Sequence, residues 1–361
     1  MHIGFFSGDV TRSGGTENVS IAIANELASR GGMKILFVSL FEERDEPFFP
    51  LSPAIRRFAL YSVATHGIQH YFDTCKRLEA VVRDQHIDVL IDIDGILDMY
   101  SLPVKKRTGV RVISWEHFNY LQNPDVPYRK LTRRWAARRA DAIVTLTQTD
   151  RELYQSHLKL KCPVVAIANP MATLSEPVTY DADSHLILSA GRLTYQKGFD
   201  LLVDVAAKVL PNHPDWRWLI LGEGEERHNL ESKIQEKGLQ GRVVLEGRVS
   251  NMDDFYRKSA MFVMTSRFEG LPMVLLEAKA YRLPLVSFDC PTGPSEIIEN
   301  GVNGVVVPLG DVEALSESVE ELMMDKRKRV AYSDMSGDNA EHYKIGAIMQ
   351  SWIQLLHEVT H

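Results

Sequence analysis

Glu269 and Glu277 stand eight positions apart in SRFEGLPMVLLEAKA, behind the apolar stretch Met261–Thr265 and across the opening of a helical pattern, Met273–Tyr281. Phe268-Glu269-Gly270-Leu271-Pro272 has the composition of a helix start at the carboxyl end of a strand, with Pro272 near the first turn, where its missing N–H costs nothing. The free N–H groups of such a start, with the positive end of the helix dipole, form a seat for a phosphate, and Gly270 lets a ligand approach the backbone. At about 1.5 Å of rise per residue, the two carboxylates are expected roughly 12 Å apart along the helix, enough for one to meet each end of a nucleotide-sugar. Read alone, the pair is also compatible with an N-terminal helix charge and a solvated helical residue.

Gly191-Arg192-Leu193-Thr194-Tyr195-Gln196-Lys197-Gly198 follows the strand candidate Leu186–Ala190 and precedes the amphipathic pattern Phe199–Leu210. Two cations at a helix start oppose the helix dipole, so Arg192 and Lys197 call for an anion nearby: the arginine as a fork, the lysine as a point charge, on the two phosphates of a diphosphate. Gly14-Gly15-Thr16-Glu17, after the first strand candidate, offers a second glycine-rich helix start. It matches neither the dinucleotide fingerprint nor a Walker loop, and Leu221-Gly222-Glu223-Gly224-Glu225-Glu226 lacks the third glycine and carries carboxylates that repel pyrophosphate, which argues against a nicotinamide dehydrogenase. His117, in Trp115-Glu116-His117-Phe118-Asn119, ends a strand candidate, where an imidazole can hydrogen-bond a sugar hydroxyl or be purely structural. Asp92-x-Asp94 resembles a carboxylate clamp, but it ends a buried strand beside cations that make a metal unnecessary, and no metal is expected.

These segments need strands and helices to hold them. Apolar runs at His2–Ser7, Lys34–Leu40, Ile87–Ile93, Val110–Trp115 and Ala142–Leu146 alternate with helical patterns, and the rhythm restarts at Leu186–Ala190, Trp216–Leu221, Val243–Leu245, Met261–Thr265, Pro284–Phe288 and Gly304–Val307. The expectation is an α/β chain of two doubly wound halves: residues 1–168, and 169–343 beginning at a polar, proline-containing linker, Asn169–Ser184. A terminal helix within 344–361 is expected to pack back on the first half.

With 361 residues and 45% hydrophobic content the chain has material for two cores. A net charge of −7 excludes a surface built for nucleic acid, so any anionic ligand must be held locally. Cys75, Cys162 and Cys290 are odd in number and far apart, which suits a reducing cytoplasm rather than a disulfide framework or zinc site. The start MHIGFFSGDV lacks a secretory n-region, and no run of about 18 to 20 apolar residues reads as a membrane span.

Together the glycine pair at 14–15, His117, Asn169-Pro170, GRLTYQKGFD, LGEGEER and the E-x7-E pattern resemble the retaining GT-B-fold glycosyltransferases of family 4, over nearly the whole chain. The resemblance implies two facing Rossmann-like domains with a cleft between them. It implies a diphosphate clamp of Arg192 and Lys197, a ribose-binding acid in Glu277, and a donor-sugar grip in Glu269 with the backbone of Gly270, Leu271, Pro272 and Met273. His117 is similar to the histidine that contacts the donor sugar, and Gly15, beside Gly14 and Thr16, to the glycine that packs on the donor phosphate. The family works without metal or other cofactor and retains anomeric configuration, by front-face attack assisted by the donor phosphate. Thr292-Gly293 in FDCPTGPSEII replaces the Gly-Gly pair that many members carry, and this segment looks more like users of UDP-sugars than of GDP-mannose.

YRKLTRRWAARR, residues 128–139, interleaves Arg129, Lys130, Arg133, Arg134, Arg138 and Arg139 with Leu131, Trp135 and Ala136. It reads either as an interfacial helix drawn to an anionic membrane surface or as a solvated basic face. The expectation is a hexosyltransferase acting from a UDP-sugar on a glycan or lipid-linked acceptor, in bacterial envelope polysaccharide or glycolipid synthesis, cytoplasmic and peripheral at the inner face of the cell membrane. The alternatives are a UDP-sugar epimerase of the same fold, a phosphorylase, which needs a longer chain and a cofactor lysine, and a non-catalytic sugar-binding protein, which calls for a secretory signal.

Overall fold

The computed structural model describes residues 1–65, 67–122, 128–174, 176–338 and 340–361. They form two compact units, Met1–Pro170 with Ile345–His361, and Met171–Lys344.

In the first unit the strands are β1 (His2–Ser7), β2 (Lys34–Ser39), β3 (Arg56–Ala59), β4 (Val89–Ile93), β5 (Arg111–Trp115), β6 (Ala142–Thr145) and β7 (Val164–Ala166). They run parallel in the order β3-β2-β1-β4-β5-β6-β7. Interleaved are α1 (Gly15–Ser29), α2 (Tyr71–Asp84), α3 (Asp98–Thr108), α4 (Arg129–Arg139) and α5 (Gln148–His157). The inner strands are apolar on both faces because both are covered: Ile3, Phe5, Phe6, Leu90, Ile91, Val112 and Ile113 are all buried.

The second unit holds β8 (Leu186–Ala190), β9 (Arg217–Leu221), β10 (Val243–Gly247), β11 (Met261–Met264), β12 (Leu285–Asp289) and β13 (Gly304–Pro308), parallel in the order β10-β9-β8-β11-β12-β13. Its helices are α6 (Phe199–Val209), α7 (Arg227–Glu236), α8 (Met252–Arg257), α9 (Met273–Ala280), α10 (Pro294–Ile297), α11 (Val312–Met324) and α12 (Lys326–Asp338). The last helix, α13 (Ile345–Thr360), belongs to the first unit, where Ile348, Met349, Trp352, Leu355, Leu356 and Val359 form its buried face and Trp352 meets Trp115 edge to face at 4.9 Å.

Every strand expected from an apolar run is present, with no end displaced by more than two residues. β3 and β7 were not expected. Both lie at sheet edges, and Arg-Arg-Phe-Ala, with no residue buried, carries no strand signal. In each sheet the winding reverses once, between β1 and β4 and between β8 and β11. Parallel sheets of this kind bind ligands outside the carboxyl ends of the strands at such a point. Among the described residues, no helix is long and apolar enough to cross a membrane.

Candidate functional site

β8 and β11 are neighbours at the reversal of the second sheet, and the loops leaving them are laced together. The loop after β8 ends in a turn of 3-10 helix, Tyr195–Lys197, and turns into α6 at Gly198, whose φ of 63° and contact with the Thr265 carbonyl leave no room for a side chain. Arg267 donates its backbone N–H to Gln196 at 2.7 Å, while its guanidinium forks onto Asp200 at 2.8 and 2.7 Å and covers the Tyr195 ring. The Gly222-x-Gly224 pair has a packing role. A side chain at either position would collide with the backbone of Gly191 or Leu193, which β9's loop holds through hydrogen bonds from Gly191 N to Leu221 O and from Leu193 N to Glu223 O, both 2.9 Å.

This lacing brings Lys197 to Glu269. Lys197 Nζ donates to Glu269 Oε1 at 2.6 Å, and Ser266 donates its hydroxyl to the same oxygen at 2.6 Å. Glu269 is buried by the loop after β12: Glu269 N donates to Pro291 O, and Thr292, itself buried, donates its hydroxyl to Gly270 O at 2.8 Å. Gly293, at φ 103°, lies against the Pro272 ring, so the Thr292-Gly293 pair braces the Gly270–Pro272 segment.

The start of α9 agrees with its helical pattern, but Pro272 and Glu269 lie outside the helix. α9 opens at Met273 with Pro272, in extended conformation, as the residue before it rather than within the first turn. Glu269 is therefore in the loop and not on the helix, and helical rise does not set its separation from Glu277. On α9, Leu275, Leu276, Ala278 and Lys279 are buried, which leaves Met273, Val274 and Glu277, at helical spacing, on the less buried face.

Beside that face is a pocket of about 460 Å³, lined by Arg192, Gly222, Glu223, Arg248, Val249, Met252 and Val274 among others. Arg192 is exposed and its guanidinium makes no hydrogen bond or ion pair to the described residues. The Glu223 carboxylate is matched by Arg227 at 2.9 Å. Glu277 accepts a hydrogen bond from the buried Tyr256 hydroxyl at 2.7 Å, and burial raises its pKa. Tyr256 stacks on Tyr281 at 4.9 Å, whose hydroxyl is held by Asp253 at 2.5 Å, so α8 holds both one wall of the pocket and the partner of Glu277. Sequence reasoning missed Ser266, Arg248, Met252 and Tyr256. The Ser-x-x-Glu spacing of Ser266 and Glu269 was legible, whereas Tyr256 meets Glu277 only because α8 packs on α9.

In the first unit, Gly14 precedes α1 in ordinary extended conformation and Gly15 and Thr16 open it. A side chain at Gly14 would meet the Glu17 carboxylate, whose pKa burial raises. His117 follows β5, its ring 4.5 Å from that of Trp115; its Nε2 is buried without a hydrogen-bond partner, and burial pushes its pKa down to about 4.

The basic helix differs from expectation. Arg129 and Arg133, counted with the cations of a surface-seeking face, are each 2% exposed and bound to Asp94 and Glu116, so α4 turns two of its six cations inward. Lys130, Arg134, Arg138 and Arg139 remain exposed, together with Leu131. The Asp92-x-Asp94 pair is likewise engaged: Asp92 is buried against Ser101, and Asp94 holds Arg129.

Residues 172–336 match the family described as glycosyl transferases group 1, and residues 13–173 match glycosyltransferase family 4. An uncharacterized glycosyltransferase of Haemophilus influenzae is 31% identical over 354 residues, 98% of this chain and 99% of the relative. The amylovoran biosynthesis glycosyltransferase AmsD of Erwinia amylovora is 29% identical over 356 residues, 96% of this chain and 97% of its own. Anabaena HepE, solved in complex with UDP, superposes with a TM-score of 0.79 at 16% identity, covering 99% of this chain and 100% of the other. Two parallel Rossmann-like sheets, a cation paired with a carboxylate at the reversal of the second, and relatives matched from end to end make this chain a group 1 glycosyltransferase of the GT-B fold.

Proposed function

We propose that this glycosyltransferase moves a hexose or N-acetylhexosamine from a UDP-sugar to a glycan or lipid-linked acceptor in bacterial envelope polysaccharide or glycolipid synthesis, retaining the anomeric configuration and using no metal. The observation that carries the reading is the meeting of Lys197 and Glu269 beside the opening of α9 and a pocket bordered by Arg192 and Arg248. Amylovoran biosynthesis by AmsD and the UDP bound to HepE support the acceptor class and the donor nucleotide.

In this reading the uracil and ribose occupy the pocket beside Met252 and Val249, with Glu277 accepting from the ribose hydroxyls. Arg192, Lys197 and the N–H groups at the opening of α9 receive the diphosphate. Glu269 and the backbone of Gly270–Met273 hold the sugar, and the family resemblance assigns donor contacts to His117 and Gly14–Thr16. The bond from the anomeric carbon to the diphosphate oxygen breaks as the acceptor oxygen attacks the same face, and the acceptor's proton passes to the departing phosphate oxygen. Charge grows on the diphosphate in that step, so cations fixed beforehand lower the barrier more than they strengthen donor binding. Lys130, Arg134, Arg138 and Arg139, with Leu131 between them, form the surface that would meet anionic lipid, and co-sedimentation with vesicles regardless of their anionic content would count against that role.

The test is thermal stabilisation in the presence of EDTA by UDP, GDP, NAD and a panel of UDP-sugars. A ligand at a hundred times its Kd adds about 2.7 kcal/mol. Selective stabilisation by UDP and one UDP-sugar, lost in Glu277→Ala, is the expected result, and no response to any nucleotide overturns the reading. Proton NMR of the product's anomeric signal then reports retention or inversion.

A further inference from the structure

We propose that Arg133 and Arg129, acting through Glu116, are positioning residues that set where His117 stands. The proposal rests on the assignment of His117 to the donor sugar. Arg133, inside α4, donates to the carbonyl oxygens of Phe118 at 3.3 Å, Asn119 at 3.1 Å, Tyr120 at 2.8 Å and Gln122 at 3.4 Å, and to both Glu116 carboxylate oxygens at 3.3 and 3.4 Å. One guanidinium thus gathers the loop that carries His117.

Arg129 ties that loop to the neighbouring strand. It forks onto Asp94 at 2.5 and 3.0 Å, lies 3.6 Å from Glu116 and covers the Phe118 ring at 4.7 Å. Asp94 follows β4 at φ 96°, a backbone conformation a non-glycine residue keeps only when its surroundings insist, and its N–H donates to Trp115 O at 3.0 Å. His117 has no hydrogen bond at Nε2 to orient its ring, so the backbone it stands on and the face of Trp115 decide its place. Buried ion pairs are weak stabilisers compared with apolar packing, whereas a five-donor fork matched to several carbonyls fixes geometry in a way an apolar residue or a lysine does not.

The test uses the full chain labelled with 15N-histidine, the His117 ring signals being identified by their loss in His117→Ala. They are expected to shift in Arg133→Lys and in Glu116→Gln and to stay in place in Arg138→Lys, an exposed position of the same helix. With the UDP-sugar that best stabilises the protein, turnover is expected to fall about 10- to 100-fold in Arg133→Lys, and less than about twofold when the same change is made in His117→Ala. Unmoved His117 signals in Arg133→Lys, or equal losses in the two backgrounds, overturn the proposal. Full turnover in His117→Ala instead overturns the assignment of His117 to the donor, and the ring signals alone then decide the positioning role. Should Arg133→Lys not fold, Glu116→Gln supplies both readouts.

Discussion

Lys197 reaches across from the loop after β8 to place its ammonium 2.6 Å from a Glu269 oxygen that also accepts the Ser266 hydroxyl. The ion pair joins the two strand ends at the reversal of the second sheet, so Lys197 is both part of a structural tie and one of the cations of the proposed diphosphate clamp.

Separating those roles is the first prediction. Lys197→Met leaves a buried carboxylate with Ser266 but without its cation, and should destabilise the protein by about 1–3 kcal/mol in urea titrations. Adding Glu269→Gln should restore much of that stability. Turnover should fall about 10²- to 10³-fold in the single variant and stay low in the double. Recovery of turnover in the double variant would assign the lysine to structure alone.

Arg192 gives the converse case. Its side chain is exposed and unpaired among the described residues, so Arg192→Ala should change stability by no more than about 0.5 kcal/mol. Turnover is nevertheless expected to drop, by an amount comparable to that for Lys197→Met. Unaltered kinetics would remove Arg192 from the diphosphate clamp.

Tyr256→Phe deletes one hydroxyl from the buried stack and leaves Glu277 one donor short. A hydrogen bond to a charged group contributes about 1.5–3 kcal/mol, so the KM for the donor should rise about tenfold or more while kcat holds. Calorimetry with UDP alone should show the same loss, since the contact concerns the nucleotide. A fall in kcat at constant KM would contradict this placement.

Asp92 on β4 and Asp98 at the start of α3 are buried together, and burial pushes Asp92 up to about 7 and Asp98 well above its usual range. A carboxyl whose pKa is higher folded than unfolded binds more protons in the native state, so its contribution to stability is present below about pH 4 and is lost as pH rises toward about 7. Unfolding free energy measured at pH 5 and pH 8 should fall with pH, and the fall should be smaller in Asp92→Asn. An unchanged difference in that variant would assign the pH dependence to other groups.

The local chemistry was legible in the sequence because it depends on residues close together in the chain. Apolar runs such as HIGFFS and LILSA are buried on both faces wherever they lie in a parallel sheet, and their spacing announced the βα rhythm. Arg192, Lys197, Glu269 and Gly270 could be named because each sits where a strand hands over to a helix, and Glu277 by its spacing from Glu269. What lies between distant segments was not legible. Composition alone made residues 128–139 a uniformly basic face, and only the packing of α4 on the ends of β4 and β5 turns Arg129 and Arg133 inward, where Asp94, Glu116 and loop carbonyls satisfy them. Glu269 stands in a loop rather than on α9, where the loop after β12 braces Gly270–Pro272 through a contact across 22 residues between Thr292 and Gly270. Tyr256 reached Glu277 for the same reason. The sequence by itself determined which elements form and which charges stand at their ends, since those follow from periodicity and local backbone preference. Tertiary structure alone decided which charges are neutralised inside and which stay open to a ligand, since burial and pairing depend on segments that meet only after folding.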